Sequence, residues 1–221
     1  MIKTSLREEK SLIAEGYSLV GGVDEVGRGA LAGPVTAALV IFPPDLLLEV
    51  VKEVVDSKTL SARKREFLSD LIKEVCLSHS IASASATEID EIGIVSATKL
   101  AMKRAIESSV VRPDYILIDG LSNADLNIPS RAIVKGDQIS SSIAAASIIA
   151  KVSRDFEMRI LDAQFPQYGF RSNKGYGTKA HLDGLRAVGP TPIHRQYFSP
   201  VAAANMKRTP IKGSSLVNNC S

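Results

Sequence analysis

The chain has 221 residues, 45% of them hydrophobic, enough to bury the core of one α/β domain with or without a small appendage. No apolar run reaches the roughly 18 residues that span a bilayer; the charged start MIKTSLREEKSLIAEGY lacks the apolar stretch of a signal peptide, and Cys76 and Cys220 alone make no disulfide framework. The net charge of +3 is unevenly spread, with 11 Lys and Arg against 4 Asp and Glu over residues 151–221 and 16 against 20 before them, so the chain reads as a cytoplasmic protein whose acids suit metal ions and whose basic part suits phosphates.

In chain order, SLVGGVDEV (18–26) and PVTAALVIF (34–42) have strand character and are joined by the glycine-rich GRGALAG, a hairpin-like start to a sheet. DLLLEVVKEVV (45–55) has helical apolar spacing. A clear helix follows, with Ser61 as N-cap, Arg63 to Arg65 in its first turn, and Phe67, Leu68, Leu71, Ile72 and Val75 as its buried stripe. HSIASASA (79–86) alternates as a strand does, and Thr87 opens a helical region interrupted by Gly93. DYILIDG (114–120) and RAIVKGD (131–137) read as short strands that each end in an acid. A long helix is expected from about Gln138, with Ile148, Val152, Phe156 and Ile160 on one face. The last twenty residues lack periodicity and read as a loose tail from 202 to 221. Strands alternating with helices after an opening hairpin predict an α/β fold with a mixed sheet.

Three expected strand ends thus carry acids: Asp24 with Glu25, Asp119, and Asp137. Carboxylates on neighbouring strands lie about 4.8 Å apart per strand step, and four hard oxygen donors brought together repel unless a divalent cation sits among them. Mg²⁺ or Mn²⁺ suits such a set; His79, His181 and His194 have no metal-ligand spacing with either cysteine. A lone Asp-Gly is usually a turn, so Asp119 or Asp137 singly means little. Asp24 and Glu25 sit in an otherwise apolar segment, yet neighbours on a regular strand point to opposite faces. Both serve one site only where the backbone bends, which Gly27 and Gly29 permit.

GVDEVGRGALAGPV (22–35), DSKTLSARKRE (56–66), YILIDG (115–120), KGDQISSSIAAASIIAKVSRD (135–155) and NKGYGTKAHLDGLRAVGPTPIHRQYFSPV (173–201) occur in one order. In these motifs the chain closely resembles the bacterial ribonuclease HII family over about residues 10–201. The resemblance implies an RNase H-like fold over 1–201, with a small helical C-terminal part from about 160 that carries the GYG segment. It implies a metal-dependent endonuclease that hydrolyses RNA paired with DNA and cuts on the 5′ side of single ribonucleotides in duplex DNA. By residue-to-residue match, Asp24, Glu25, Asp119 and Asp137 would be the four-acid site for Mn²⁺ or Mg²⁺. Gly27, Arg28 and Gly29 would approach the ribose 2′-hydroxyl, and Tyr176 would help recognise the junction between ribonucleotide and deoxyribonucleotide.

These roles make physical sense. The 2′-hydroxyl distinguishes RNA from DNA, glycines permit close backbone approach, and an aromatic ring stacks without reading sequence. The 2′-hydroxyl would be a recognition element rather than the nucleophile. Lys58, Arg63, Lys64, Lys174 and Lys179 are candidate phosphate contacts, whereas Lys151 suits an i, i+4 pair with Asp155. Thr178 suits a helix cap and His181 suits packing. Neither a membrane nor an obligatory protein partner is expected, and the chain reads as a monomer. Ribonuclease HIII, with lysine typical at the place of Arg28 and an extra N-terminal domain, fits less well. A dehalogenase-type phosphatase needs an Asp-x-Asp motif that VDEVG lacks. A non-catalytic hybrid-binding module would tolerate Asp119→Asn.

Overall fold

A computed structural model of the chain describes residues 4–45, 61–120 and 126–206. The helix expected over 45–55 and the candidate contact Lys58 fall essentially outside that description. Helix α1 (Arg7–Ala14) precedes strand β1 (Val20–Val26), which pairs antiparallel with β2 (Val35–Ile41). Helix α2 (Ala62–Val75) leads to β3 (Ser78–Ala84), and helix α3 (Ala86–Glu107) to β4 (Tyr115–Asp119) and β5 (Ser130–Ile133). The sheet runs β3-β2-β1-β4-β5, antiparallel on the β2 and β3 side and parallel from β1 to β5. Helices α4 (Ser141–Gln164), α5 (Phe170–Asn173), α6 (Lys179–Val188) and α7 (Ser199–Met206) complete it. This is the expected α/β architecture, a mixed central sheet flanked by helices. Among the described residues no helix is long and apolar enough to cross a membrane.

Strand β2 is buried throughout, as a continuous apolar run between two layers must be. Its alternation divides the core: Ala37, Leu39 and Ile41 join the layer with Ala97, Ala101 and Ala105 of α3, while Ala38 and Val40 face Ala145, Ile148 and Ile149 of α4. Helix α4 lies very close to β1. A Cβ on Gly22 would fall 2.2 Å from the Ser142 carbonyl carbon, so only glycine admits this packing. Its first turn is held from far away: Glu9 of α1 accepts from Ser142 N–H (3.0 Å) and from the hydroxyls of Ser140 and Ser142 (both 2.6 Å). A carboxylate there complements the helix dipole.

Several expectations change. The long helix begins at Ser141, not Gln138, because Ser140 caps it by accepting from Ile143 N–H. Its buried face is not the expected one: Phe156 is 57% and Ile160 48% exposed, while Arg154 and Met158 are buried. Up to Ala150 the helix is buried on nearly every side, whereas beyond it only the side with Arg154 and Met158 stays covered, so the stripe that starts at Ile148 runs out of the core. Phe67, assigned to the buried stripe of α2, is 55% exposed with Lys64 over its ring; Leu68 and Ile72 carry that face. Asp137 does not end a strand. β5 stops at Ile133, Lys135 turns left-handed (φ 55°), and Asp137 lies in a 3-10 turn over Gly136–Gln138. Ala202 to Met206, expected to open a loose tail, are helical in α7, which buries Val201; the rest of that expected tail lies outside the described residues.

Candidate active site

Strand β1 keeps its antiparallel register with β2 through Val26, but its parallel pairing with β4 ends at Val23, opposite Ile118. Asp24 and Glu25 therefore lie where one flank of the strand has no neighbour, at the carboxyl ends of the parallel strands. This is how adjacent residues serve one place without the bend anticipated from the glycines: both open onto a cleft of about 510 Å³. Asp119, the last residue of β4, lines it too. The Asp24 carboxylate folds back to accept Glu25 N–H at 2.7 Å, and Asp119 accepts Gly136 N–H at 2.6 Å.

Burial pushes the Asp24 carboxyl well above its ordinary range, with Glu25 and Asp119 adding repulsion and a Ser147 hydrogen bond opposing it. Glu25 is pushed up as well, chiefly by burial, while Arg28 at 3.4 Å pulls it back. Asp137 lies in the turn that holds Asp119. It is buried beside Gly136, whose N–H holds Asp119, and its Oδ1 has no hydrogen-bond partner among the described residues. No three His, Cys, Asp or Glu among the described residues form a ready-made metal cage. The donor chemistry nevertheless fits a hard divalent cation: oxygens only, mutually repelling, around one open cleft.

The loop after β1 carries the second half of the site. Gly27 has φ 94°, and a Cβ there would meet Arg154 Nε at 2.2 Å. Arg154, fully buried, donates to the carbonyls of Pro34 (3.0 Å), Ala32 (3.2 Å) and Lys174 (2.9 Å). Arg195, equally buried, donates to those of Gly27 and Arg28 (both 2.7 Å), Gly33 and Pro34 (both 3.1 Å). These carbonyls turn inward, so the amide N–H groups of Arg28 and Gly29, on the far side of the same trans peptide planes, face away from the guanidinium. Tyr176 stands beside this loop, its Cε1 4.0 Å from where a Gly29 Cβ would be, with Arg154 under its ring. Leu31 N–H to Gly175 carbonyl (2.7 Å) ties the two turns.

The structure thus brings together Asp24, Glu25 and Asp119, and separately Gly27, Arg28, Gly29 and Tyr176. Lys174 lies next to the tyrosine turn, left-handed at φ 53°, with its ammonium on the Arg171 carbonyl and its pKa lowered by burial. Lys179 is 93% exposed and paired with Asp183 at 3.2 Å. Lys151 does pair with Asp155 (2.6 Å), yet it also lines the acidic cleft with Arg65 and Ser147. Sequence reasoning missed Arg65 and Ser147 as cleft residues, and both buried arginines. For Arg154 a signal existed, since it falls between Ala150 and Met158 at i, i+4 spacing on the buried stripe. Arg195 lies in a loop and carries no periodic signal. Thr178 caps α6 and His181 is buried, both as expected.

Comparison with known proteins follows this geometry. The family model described as Ribonuclease HII matches residues 21–201. The chain is similar to Ribonuclease HII of Desulfitobacterium hafniense (strain Y51), 52% identical over 200 residues, which cover 90% of this chain and 76% of that protein. The crystal structure of the ribonuclease H2 from Pyrococcus horikoshii OT3 superposes with a TM-score of 0.74 at 23% identity, over 86% of this chain and 98% of that one. The structure of the PCNA:RNase HII complex from Archaeoglobus fulgidus matches with a TM-score of 0.69 at 25% identity, over 81% of this chain and 95% of that one.

Proposed function

This chain belongs to the ribonuclease HII family and is a type 2 ribonuclease H endonuclease, and we propose that it cuts both the RNA strand of RNA/DNA hybrids and the 5′ side of single ribonucleotides in duplex DNA. The products would be a 3′-hydroxyl and a 5′-phosphate on the ribonucleotide. The observation that carries this reading is the reach of one strand: β1 ends in two acids on the cleft wall, and a few residues on Gly29 lies against Tyr176. Reaction centre and ribose sensor are thus one continuous piece of chain.

Asp24, Glu25, Asp119 and, from its turn, Asp137 would hold Mg²⁺ or Mn²⁺, which when bound supplies an activated water and charge neutralisation at a phosphodiester. The protein's own residues do the selecting. Outward N–H groups of Arg28 and Gly29 suit the 2′-hydroxyl and adjacent phosphate, and the absence of a side chain at Gly29 lets the sugar approach. Tyr176, 37% exposed, offers a flat face to the following nucleotide. Arg65 and Lys151 on the cleft wall suit non-bridging phosphate oxygens, a better placement than that of Lys179. Ser147 fixes the Asp24 carboxylate through a hydrogen bond.

The test is cleavage by the purified chain alone of duplex DNA with one embedded ribonucleotide, in Mg²⁺ or Mn²⁺, with an EDTA control. A single metal-dependent cut on the 5′ side of the ribonucleotide supports the reading. Cutting confined to longer RNA/DNA hybrids would remove the single-ribonucleotide activity, and cutting that persists in EDTA would remove the metal site.

A further inference from the structure

His194 and Arg195 are neighbours, and each reaches a different half of the sensor. Their segment pairs antiparallel with the loop after β1, through Gly33 N–H to Ile193 carbonyl and Arg195 N–H to Leu31 carbonyl (both 2.9 Å). From this bridge Arg195 turns to the Gly27 and Arg28 carbonyls. His194 turns the other way: its Nε2 is 3.1 Å from His181 Nε2, and His181 Nδ1 is 3.0 Å from the carbonyl of Tyr176.

The ends of this chain of hydrogen bonds fix its protons. Thr191 N–H only donates, so His194 Nδ1 accepts at 3.0 Å and the ring carries its proton on Nε2. The Tyr176 carbonyl only accepts, so His181 carries its proton on Nδ1. His181 Nε2 is left to accept from His194 Nε2–H. The Thr191 hydroxyl, 2.9 Å from His194 Nδ1, and Thr178 N–H, 2.8 Å from the Tyr176 carbonyl, share the two end acceptors; both rings are neutral, and burial holds both pKa values down. The rings are fully buried against Tyr168 and Phe170 and touch neither acid cleft nor solvent. Filling that space alone would call for apolar rings, since buried polar atoms cost desolvation. What two imidazoles add is a directed connection from one backbone N–H to one backbone carbonyl, that of Tyr176.

We infer that His181 and His194 are positioning residues that hold Tyr176 at a set distance from the Gly27–Gly29 loop, the two halves of the sensor being yoked through the His194–Arg195 dipeptide. This deepens, and rests on, the reading of that loop and Tyr176 as the ribonucleotide sensor.

The test is a double-mutant cycle on the full chain, reading KM and kcat separately on duplex DNA with one ribonucleotide at saturating Mn²⁺. His181→Phe keeps the ring volume and removes both hydrogen bonds; His181→Asn keeps a donor where Nδ1 stood. Circular dichroism and a thermal midpoint establish that each chain is folded, and His181→Leu replaces the phenylalanine variant where that one does not fold. His181→Phe is expected to raise KM roughly tenfold, the order of one lost aromatic contact to nucleic acid, with the loss falling on KM more than on kcat. His181→Asn should recover most of it. Added to Tyr176→Ala, His181→Phe should cost nothing further, because it acts through that tyrosine. Losses that multiply, or an asparagine variant as poor as the phenylalanine one, would overturn the inference alone. A Tyr176→Ala chain with the parent KM would remove the sensor reading, and the yoke with it.

Discussion

Two clusters of like charge sit a few residues apart in this molecule, and they are resolved in opposite ways. In the cleft, burial and the neighbouring carboxylates raise the pKa values of Asp24 and Glu25, and the few donors near them do not cancel the burial. Behind the Gly27–Gly29 loop, Arg154 and Arg195 are buried together; burial lowers both pKa values, and burial with the Arg154 charge holds Arg195 down to about 9. Yet their hydrogen bonds go to backbone carbonyls, and among the described residues neither is salt-bridged. The cationic cluster is met by a full set of backbone carbonyls, whereas the donors around the acids leave the Asp24 and Glu25 pKa values raised. The lesson is that buried charge points to a ligand where the partners present do not offset the cost of burial.

Four measurements break or sharpen that contrast. The largest effect is expected from Asp24→Asn: cleavage falls by roughly 10²–10³-fold or more, as for loss of a preorganised electrostatic contact, while the thermal midpoint in EDTA rises because one repelling charge is gone. A midpoint that fell instead would mean that the acids are already compensated. Next, Arg195→Met leaves the Arg28 and Gly33 carbonyls without a donor, while those of Pro34 and Gly27 keep Arg154 Nε–H and Ala30 N–H, and should cost about 3 kcal/mol, at roughly 1–3 kcal/mol per buried orphan and with some repulsion relieved; urea denaturation reads it directly.

Third, Mn²⁺ at about 100 times its dissociation constant should stabilise the parent chain by about 2.7 kcal/mol, raise the Arg195→Met midpoint similarly, and leave Asp24→Asn nearly unmoved. Calorimetry with and without chelator separates these cases. Fourth and smallest, the buried histidine pair beside the arginines and the acids of the cleft should answer acid with opposite sign in EDTA. His194 is held down to about 4 by burial and by His181, so the unfolded chain takes up its proton first, near 6.5. That stability is complete above about pH 6.5 and is lost as pH falls toward 4. The raised Asp24 and Glu25 do the reverse, since the folded chain takes up protons first and repulsion is relieved on acidification. Asp24→Asn, having lost the compensating gain, should show a steeper fall in midpoint between pH 7.5 and 4.5 than its parent.

What could be read from sequence follows the range of the forces involved. Strand β2 was legible because a seven-residue run that is apolar but for Thr36 needs two covering layers, and Ser61 because a cap acts three residues away, on Lys64 N–H. The acids on β1 were legible as charges in an apolar run, but not the reason both reach one cleft, which is the early end of the β1–β4 pairing. Phe156 and Ile160 misled because spacing records one helix, whereas burial depends on how far its neighbours extend. Asp137 misled because a left-handed Lys135 ends the strand where an extended one would have continued it. Glu9, Arg154 and Arg195 act across more than a hundred positions, and no local pattern carries such a contact.

Arg195 has a consequence in time as well as in space. The carbonyl of Gly27 is synthesised 168 positions before the guanidinium that receives it, a wait of roughly ten to thirty seconds at ordinary translation rates. Until then the nascent chain has its acids but lacks the clasp on the loop proposed to sense ribose, and the His194 link toward Tyr176 arrives in the same moment. A ribosome-bound chain stopped short of residue 194 is therefore expected to be unable to tell ribose from deoxyribose. On the reading proposed above, discrimination waits on two consecutive codons, those of residues 194 and 195, far from the loop they serve.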